Sequence, residues 1–196
     1  MIRQYALKCK IKLVRKTAGE LYEGYGAEKR EHLAKCPVCG SRGNCEGHGR
    51  YQRNIIDMRN GRVEYRRIEI KRVRCRSCGH THGLLPDFII PYTTYSLFFV
   101  LGVLMAYYRG RSVGGICRRF SITPSMLYQW KRIFLAHKEL WEGVLKAAET
   151  APEYFLRWLY HVTSYASSFA EPFFGIAACS FLQKHRDAAR YRHAVI

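Results

Sequence analysis

The chain has 196 residues, 48% of them hydrophobic, which is enough to bury one ordinary domain or two small ones and argues against a disordered chain. Its formal net charge of +18, from 33 Lys plus Arg against 15 Asp plus Glu, exceeds what solubility requires and points to a polyanion, with nucleic acid ahead of an anionic membrane surface. Eight cysteines would suit a secreted disulfide scaffold, but the first 15 residues intersperse Arg3, Lys8, Lys10, Lys12 and Arg15 with apolar residues and do not read as a signal peptide. A reducing cytoplasm, where thiols hold metal, is the expectation.

Residues 3–14 alternate apolar and basic side chains, as in Leu7, Lys8, Cys9, Lys10, Ile11, Lys12 and Leu13, a period of two that predicts a strand. Residues 20–33 are charged and predict a short helix. Both belong to a layer, residues 1–35, that abuts the next module.

That module, residues 36–90, is defined by two knuckles, Cys36-Pro37-Val38-Cys39-Gly40 and Cys75-Arg76-Ser77-Cys78-Gly79. A Cys-x-x-Cys turn places two sulfurs on one ion, and the trailing glycine tolerates the positive φ that turns backbone N–H groups toward the thiolates. Cys36, Cys39, Cys75 and Cys78 together predict one closed, structural Zn2+ site without an open position for water. A rival set, Cys36, Cys39, Cys45 and His48, stays open but strands the second knuckle. Cys9, Cys117 and Cys179 read as small buried hydrophobes. His80 and His82 read as solvent or nucleic-acid contacts.

Between the knuckles, residues 49–56 and 62–73 are rich in Tyr, Ile, Val and Arg and are joined by Asn60-Gly61, which predicts an antiparallel hairpin. Val63 and Tyr65 are out of phase with Ile68 and Ile70, so a bulge is expected at Arg66-Arg67. The hairpin is heavily basic, and Arg50, Arg53, Arg66, Arg67, Arg72 and Arg74 are the candidate phosphate contacts. Tyr51 and Tyr65 fit stacking or cross-strand packing equally.

Residues 84–92, interrupted by Pro86 and Pro91, predict an extended connector to a helical module spanning residues 91–150. The uncharged run 88–108 raises a membrane span, but Pro91, Thr93, Thr94 and Ser96 split it, leaving a helix from Ser96 too short for a hydrocarbon core of about 30 Å. That helix, apolar nearly all round, predicts a central buried element stopped at Gly110. Residues 112–120 and 123–137 then predict a helix-turn-helix, with Thr123 as cap and Pro124 in the first position. Leu127, Trp130 and Phe134 share the inward face, leaving Ser125, Tyr128, Gln129 and Arg132 as candidate readers of double-stranded DNA. The tail, residues 151–196, is expected to divide at Glu171-Pro172 into helices that cover the apolar helix.

The two CxxCG knuckles, the stretch Gly47-His48-Gly49-Arg50-Tyr51, Arg74-Cys75-Arg76, Leu84-Leu85-Pro86 and the helix from Ser125 to Trp130 carry a resemblance to the zinc-ribbon plus helix-turn-helix region of bacterial transposases and related mobile-element proteins. It covers roughly residues 36–141 and implies site recognition on DNA. The carboxylates that follow, Glu142, Glu149, Glu153, Glu171 and Asp187, are scattered and read as surface or capping charges rather than a metal-holding catalytic cluster. The expected protein is thus α+β, a small antiparallel zinc ribbon followed by an all-helical module. It is non-catalytic, DNA-binding and nucleoid-associated, as a monomer or homodimer. A truncated transposase and an RNA-binding zinc ribbon are the alternatives.

Overall fold

Strand β1 (Cys45–Arg59) runs antiparallel to β2 (Arg62–Cys75), from Cys45 opposite Cys75 at one end to Arg59 opposite Arg62 at the other. The computed structural model describes residues 7–24, 35–145 and 148–184. At the closed end Asn60 and Gly61 take φ of 50° and 77°, the paired positive values of a two-residue turn that follows the right-handed twist of its strands. A short β3 (Thr81–Gly83) adds to the other edge of β2, completing a three-stranded antiparallel sheet in the order β1-β2-β3.

The expected bulge at Arg66-Arg67 is absent. Ile55 faces Arg66 and Asn54 faces Arg67 without interruption, and the one irregularity lies between Gly47 and Arg50, where β1 takes three steps to two on β2. Unbroken alternation explains the sequence pattern without a phase shift, because Val63, Tyr65 and Arg67 simply occupy the opposite face from Arg66, Ile68 and Ile70. Ile55, Asp57, Ile68 and Ile70 are buried on one face, while Gln52, Asn54, Tyr65, Arg67 and Glu69 are exposed on the other.

Residues 7–14 do not form the expected strand. They hold a 3₁₀ turn at Ile11–Leu13, and their backbone is engaged elsewhere: the Leu7 N–H donates to the buried Asp87 carboxylate, and the Leu7 and Cys9 carbonyls accept from Ala166 and Tyr165 of the tail. Helix α1 (Ala18–Gly24) starts earlier than expected, and residues 25–34 lie outside the described part. Its start is a reciprocal cap in which the Glu20 N–H donates to Thr17 Oγ1 and the Thr17 N–H to Glu20 Oε2. The next free amide, Ala18 N–H, donates to Asp57 Oδ2 of β1 at 2.6 Å, which fastens α1 to the sheet.

The segment expected to be a simple connector is core: residues 84–91 are all buried. Phe88 and Ile56 each hold the chain beside the next helix, since Phe88 O accepts from Leu97 N–H and Ile56 O from Ser96 N–H. Helix α2 (Leu97–Tyr108) follows, capped where the Phe99 N–H donates to Ser96 Oγ, and closed by Gly110 N–H to Tyr107 O and Arg111 N–H to Ala106 O. It packs against β1, α3, α4 and α5, the central position its all-round apolarity predicts. No helix among the described residues is long and apolar enough to cross a membrane.

Helices α3 (Val113–Phe120) and α4 (Pro124–Leu145) meet at a tight turn in which Ser121 adopts φ 51° and the Met126 N–H donates to Thr123 Oγ1. Helix α4 runs two turns past residue 137, since His137, Lys138, Trp141 and Glu142 continue the buried face of Leu127, Trp130 and Phe134. Glu142 is therefore no surface charge. Its Oε2 accepts from Lys138 Nζ at 2.7 Å and its Oε1 from the Thr150 N–H and hydroxyl.

Helix α5 (Pro152–His161) packs on α2 as the tail was expected to do. The tail breaks at residues 162–164 rather than at Glu171-Pro172. A π-type turn (Ala166–Ala170) leads straight into α6 (Glu171–Ala177), the wider turn accommodating a proline that has no N–H to donate. Phe169 stands at the centre of this end of the core, 4.8 Å from the ring centres of both Trp141 and Phe181. The end of the tail, residues 185–196, falls outside the described residues.

Because Lys138 is 2% exposed, its ammonium depends on Glu142. Glu142→Ala should cost about 3–5 kcal/mol in a chemical unfolding titration, as for other buried pairs that lose one partner. A loss within the range of a surface pair, about 0–1 kcal/mol, would show that water reaches the lysine.

Candidate metal centre and nucleic-acid interface

The two knuckles fold alike. In the first, the Gly40 N–H donates to Cys36 O at 2.9 Å and the Cys36 N–H to Ser41 O at 2.9 Å. In the second, the Gly79 N–H donates to Cys75 O at 2.8 Å and the Cys75 N–H to His80 O at 2.9 Å. Gly40 and Gly79 both have φ of +73°, a conformation that costs a side chain dearly and glycine little. The sheet register brings the turns together, since Cys75 ends β2 opposite Cys45, nine residues after Cys36.

Cys36, Cys39, Cys75 and Cys78 present four sulfurs within 4.8 Å of one another. Cys36 Sγ lies 3.6 Å from Cys78 Sγ, and Cys39 Sγ 3.7 Å from Cys75 Sγ. These separations are far beyond a disulfide's roughly 2.05 Å and match the edge, about 3.8 Å, of a tetrahedron of sulfurs each about 2.3 Å from zinc. The donor set is compatible with a single zinc site. All four positions of such a site are protein sulfurs, so the chemistry a metal would supply is cross-linking of two turns, with no vacancy for a substrate.

The thiols are not equivalent. The Ser41 hydroxyl, 3.3 Å from Cys75 Sγ, leads the contacts that bring the Cys75 thiol down to about 5, and the same hydroxyl holds Cys39 below the usual thiol range. Cys78 has a backbone hydrogen bond involving His80 that favours its thiolate, yet burial and the three neighbouring cysteines push it up to about 12. A cluster that favours thiolate at one sulfur while opposing it at another is one that a divalent cation would relieve.

The rival set does not assemble. His48 is exposed on β1, and Cys45, although buried beside Val73 and Leu84 in the small core under the knuckles, lies outside the four-sulfur group. Burial, followed by Cys75 and Cys36, raises its pKa, as expected of a thiol that stays protonated. His82, expected as a surface contact, is buried with Nε2 3.5 Å from Cys36 Sγ. Its pairing opposite Val73 places it there, and the alternation of Thr81-His82-Gly83 is the signal that finds it. His80 is exposed as expected.

The candidate DNA contacts fall into three groups. Arg53 is turned inward, its guanidinium donating to the carbonyls of Ile90 and Thr93 at 2.5 Å each, and Arg66 lies on the same face, paired with Glu64 at 2.6 Å and Glu23 at 3.2 Å. Arg50 pairs with Glu69 at 2.7 Å, Arg72 donates to Thr81 Oγ1 at 2.8 Å, and Arg74 donates to Gly79 O at 3.3 Å beside the thiol cluster. Arg67 is exposed with no partner among the described residues. On α4, Ser125, Tyr128 and Arg132 are exposed and Gln129 is half-buried, a ridge at spacings of three and four residues opposite the buried Leu127, Trp130 and Phe134. Helix α3 touches β2, so the helix pair and the sheet are in contact.

Metal analysis of purified variants separates ligands from neighbours. Cys75→Ser should lose the bound zinc and the fold of the knuckle end, whereas Cys45→Ser should keep a full equivalent. Zinc retained by the first variant, or lost from the second, would refute the four-sulfur assignment.

Residues 36–114 match the model of a family described as a domain of unknown function, DUF6431. The match begins at the first thiol of the cluster and ends within α3, so it takes in both knuckles, the sheet and α2 but not α4. No curated protein and no solved structure matches the chain.

Proposed function

We propose that the chain is a sequence-specific double-stranded DNA-binding protein built from a zinc ribbon, held by one structural Zn2+ on Cys36, Cys39, Cys75 and Cys78, and a helix-turn-helix formed by α3 and α4. The observation that carries this reading is the exposed ridge of Ser125, Tyr128 and Arg132, with Gln129 at its edge, on the first turns of a helix that enters from a tight turn. Such a ridge offers hydrogen-bonding side chains at a spacing suited to base edges in the major groove. The net charge of +18 supplies the sequence-independent attraction, and Arg67 is the one of the six candidate ribbon arginines left exposed without a partner among the described residues.

In this reading the protein is non-catalytic and nucleoid-associated in the cytoplasm, and belongs with mobile elements as an accessory or regulator. The resemblance of residues 36–141 to transposase DNA-binding regions supports that last step. Metal-dependent nicking of DNA by the purified chain would replace it with a divergent transposase, and preference for structured RNA would replace it with an RNA-binding ribbon.

Fluorescence anisotropy on a selected duplex and a random one divides the labour between the elements. Gln129→Ala should cost about 1–3 kcal/mol on the selected duplex and little on the random one, because a glutamine amide can pair bidentately with adenine. Arg67→Ala should weaken both alike and lower the log-log salt slope by roughly 0.9, the share of one phosphate. Equal loss on both duplexes for Gln129→Ala would remove α4 from the recognition role.

A further inference from the structure

Helix α2 contains one residue that its buried, apolar character does not explain, Gly102, and the space above it is a cleft of about 690 Å3. A Cβ at Gly102 would meet only Phe120 Cε1, at 3.8 Å, so the glycine is not demanded by close packing. In a helix interior it costs stability relative to alanine. What it does is keep the floor of the cleft low.

Four exposed arginines, Arg109, Arg111, Arg119 and Arg157, rim this cleft, and no carboxylate among the described residues lines it. Arg157 is partnered by Glu153 at 2.7 Å, and Arg119 lies over the Phe120 ring at 5.7 Å. Arg109 and Arg111 have no ion-pair partner among the described residues. The floor is apolar, offering Met58, Gly102, Ala106 and the half-buried Tyr160, while Phe120 is only 3% exposed. A second hollow of about 430 Å3 adjoins it, sharing Lys12, Met58 and Tyr160 and adding Arg15, Lys16 and Arg59. The carboxylate of that hollow, Asp57, is buried and hydrogen-bonded to the Ala18 and Met58 amides.

An apolar floor beneath a rim of cations fits a ligand with a flat face and a negative charge, and the volume is that of a site for a small organic molecule. We infer that the cleft over Gly102 binds nucleotide units of a single nucleic-acid strand, bases on the apolar floor against Tyr160 and phosphates on the arginine rim. Two adjoining basic hollows suit successive units of a strand better than one free nucleotide, and base-on-aromatic stacking under a cationic wall is a general mode of strand binding. This goes beyond duplex recognition by the α4 ridge and Arg67 and uses none of those side chains, although Arg119 stands on α3, the first helix of the proposed helix-turn-helix. A protein reading a duplex with one face and holding a displaced strand with another would favour locally opened DNA.

The test uses the full chain and two probes, a labelled oligothymidylate of about eight nucleotides, within the span of known single-strand sites, and AMP, with inorganic phosphate as competitor. Gly102→Leu fills the floor with a good helix former and should lower oligothymidylate affinity about tenfold or more, the loss expected when a stacked base is excluded. Its melting temperature should be unchanged or higher, and its duplex binding unchanged. Arg111→Ala with Arg119→Ala, both at exposed positions, should weaken the same probe and flatten its salt dependence. Undiminished oligothymidylate binding by a folded Gly102→Leu chain, or by the double arginine variant should the leucine chain not fold, overturns the inference. Phosphate competing as well as AMP overturns the nucleotide assignment, and binding of AMP without the oligonucleotide overturns the strand. Loss of duplex binding alone, through Gln129 or Arg67, leaves it standing.

Discussion

Four cysteine sulfurs within 4.8 Å of one another are the constraint on which the sheet depends. At the closed end of the hairpin, Ile55, Ile68 and Ile70 are buried in the main core, but at the open end only Val73 and Leu84 join Cys36, Cys45 and Cys75 in a separate small cluster. So little apolar area cannot hold two strands against their conformational entropy. Metal–thiolate bonds would supply the closure that hydrophobic burial does not. The paired thiols, the Ser41 hydroxyl between Cys39 and Cys75, and the buried His82 beside Cys36 all gather at the point where that closure is needed.

The other half of the molecule is held by burial around α2. The N-terminal segment donates Leu7 N–H to Asp87, α1 is tied to Asp57, and the tail covers α4 through Phe169, Phe173 and Phe181. This division leaves the sheet's outer face and the ridge of α4 free of packing duties, so both can carry polar and basic side chains. It also explains where the arginines went. Those on the sheet's buried face, Arg53 and Arg66, satisfy carbonyls and carboxylates, while Arg67 on the opposite face is exposed.

Local features were legible in the sequence. The knuckles, the Asn60-Gly61 turn, the helix start near Ser96, the Thr123 cap and the Pro124 start depend on a few adjacent residues, and each stands where its chemistry places it. What the sequence hid depends on partners far along the chain. The alternation of residues 7–13 looked like a strand because the tail amides of Tyr165 and Ala166 that take its carbonyls lie over 150 residues away. Helix α4 looked shorter because Lys138 and Glu142 read as a polar end, though together they are a buried pair. The thiol cluster was readable in full, His82 excepted. The candidate positions on α4 stand on an exposed ridge with Gln129 half-buried at its edge, but on the sheet basic composition did not distinguish arginines that serve the fold from those left facing water.

Zinc-edge X-ray absorption on the purified chain tests the closure most directly, because it reports the atoms around the metal without any substitution. The account predicts one zinc per chain surrounded by four sulfurs at about 2.3 Å and by no nitrogen or oxygen. A nitrogen in the first shell, fewer than four sulfurs, or a folded chain that holds no zinc would contradict it.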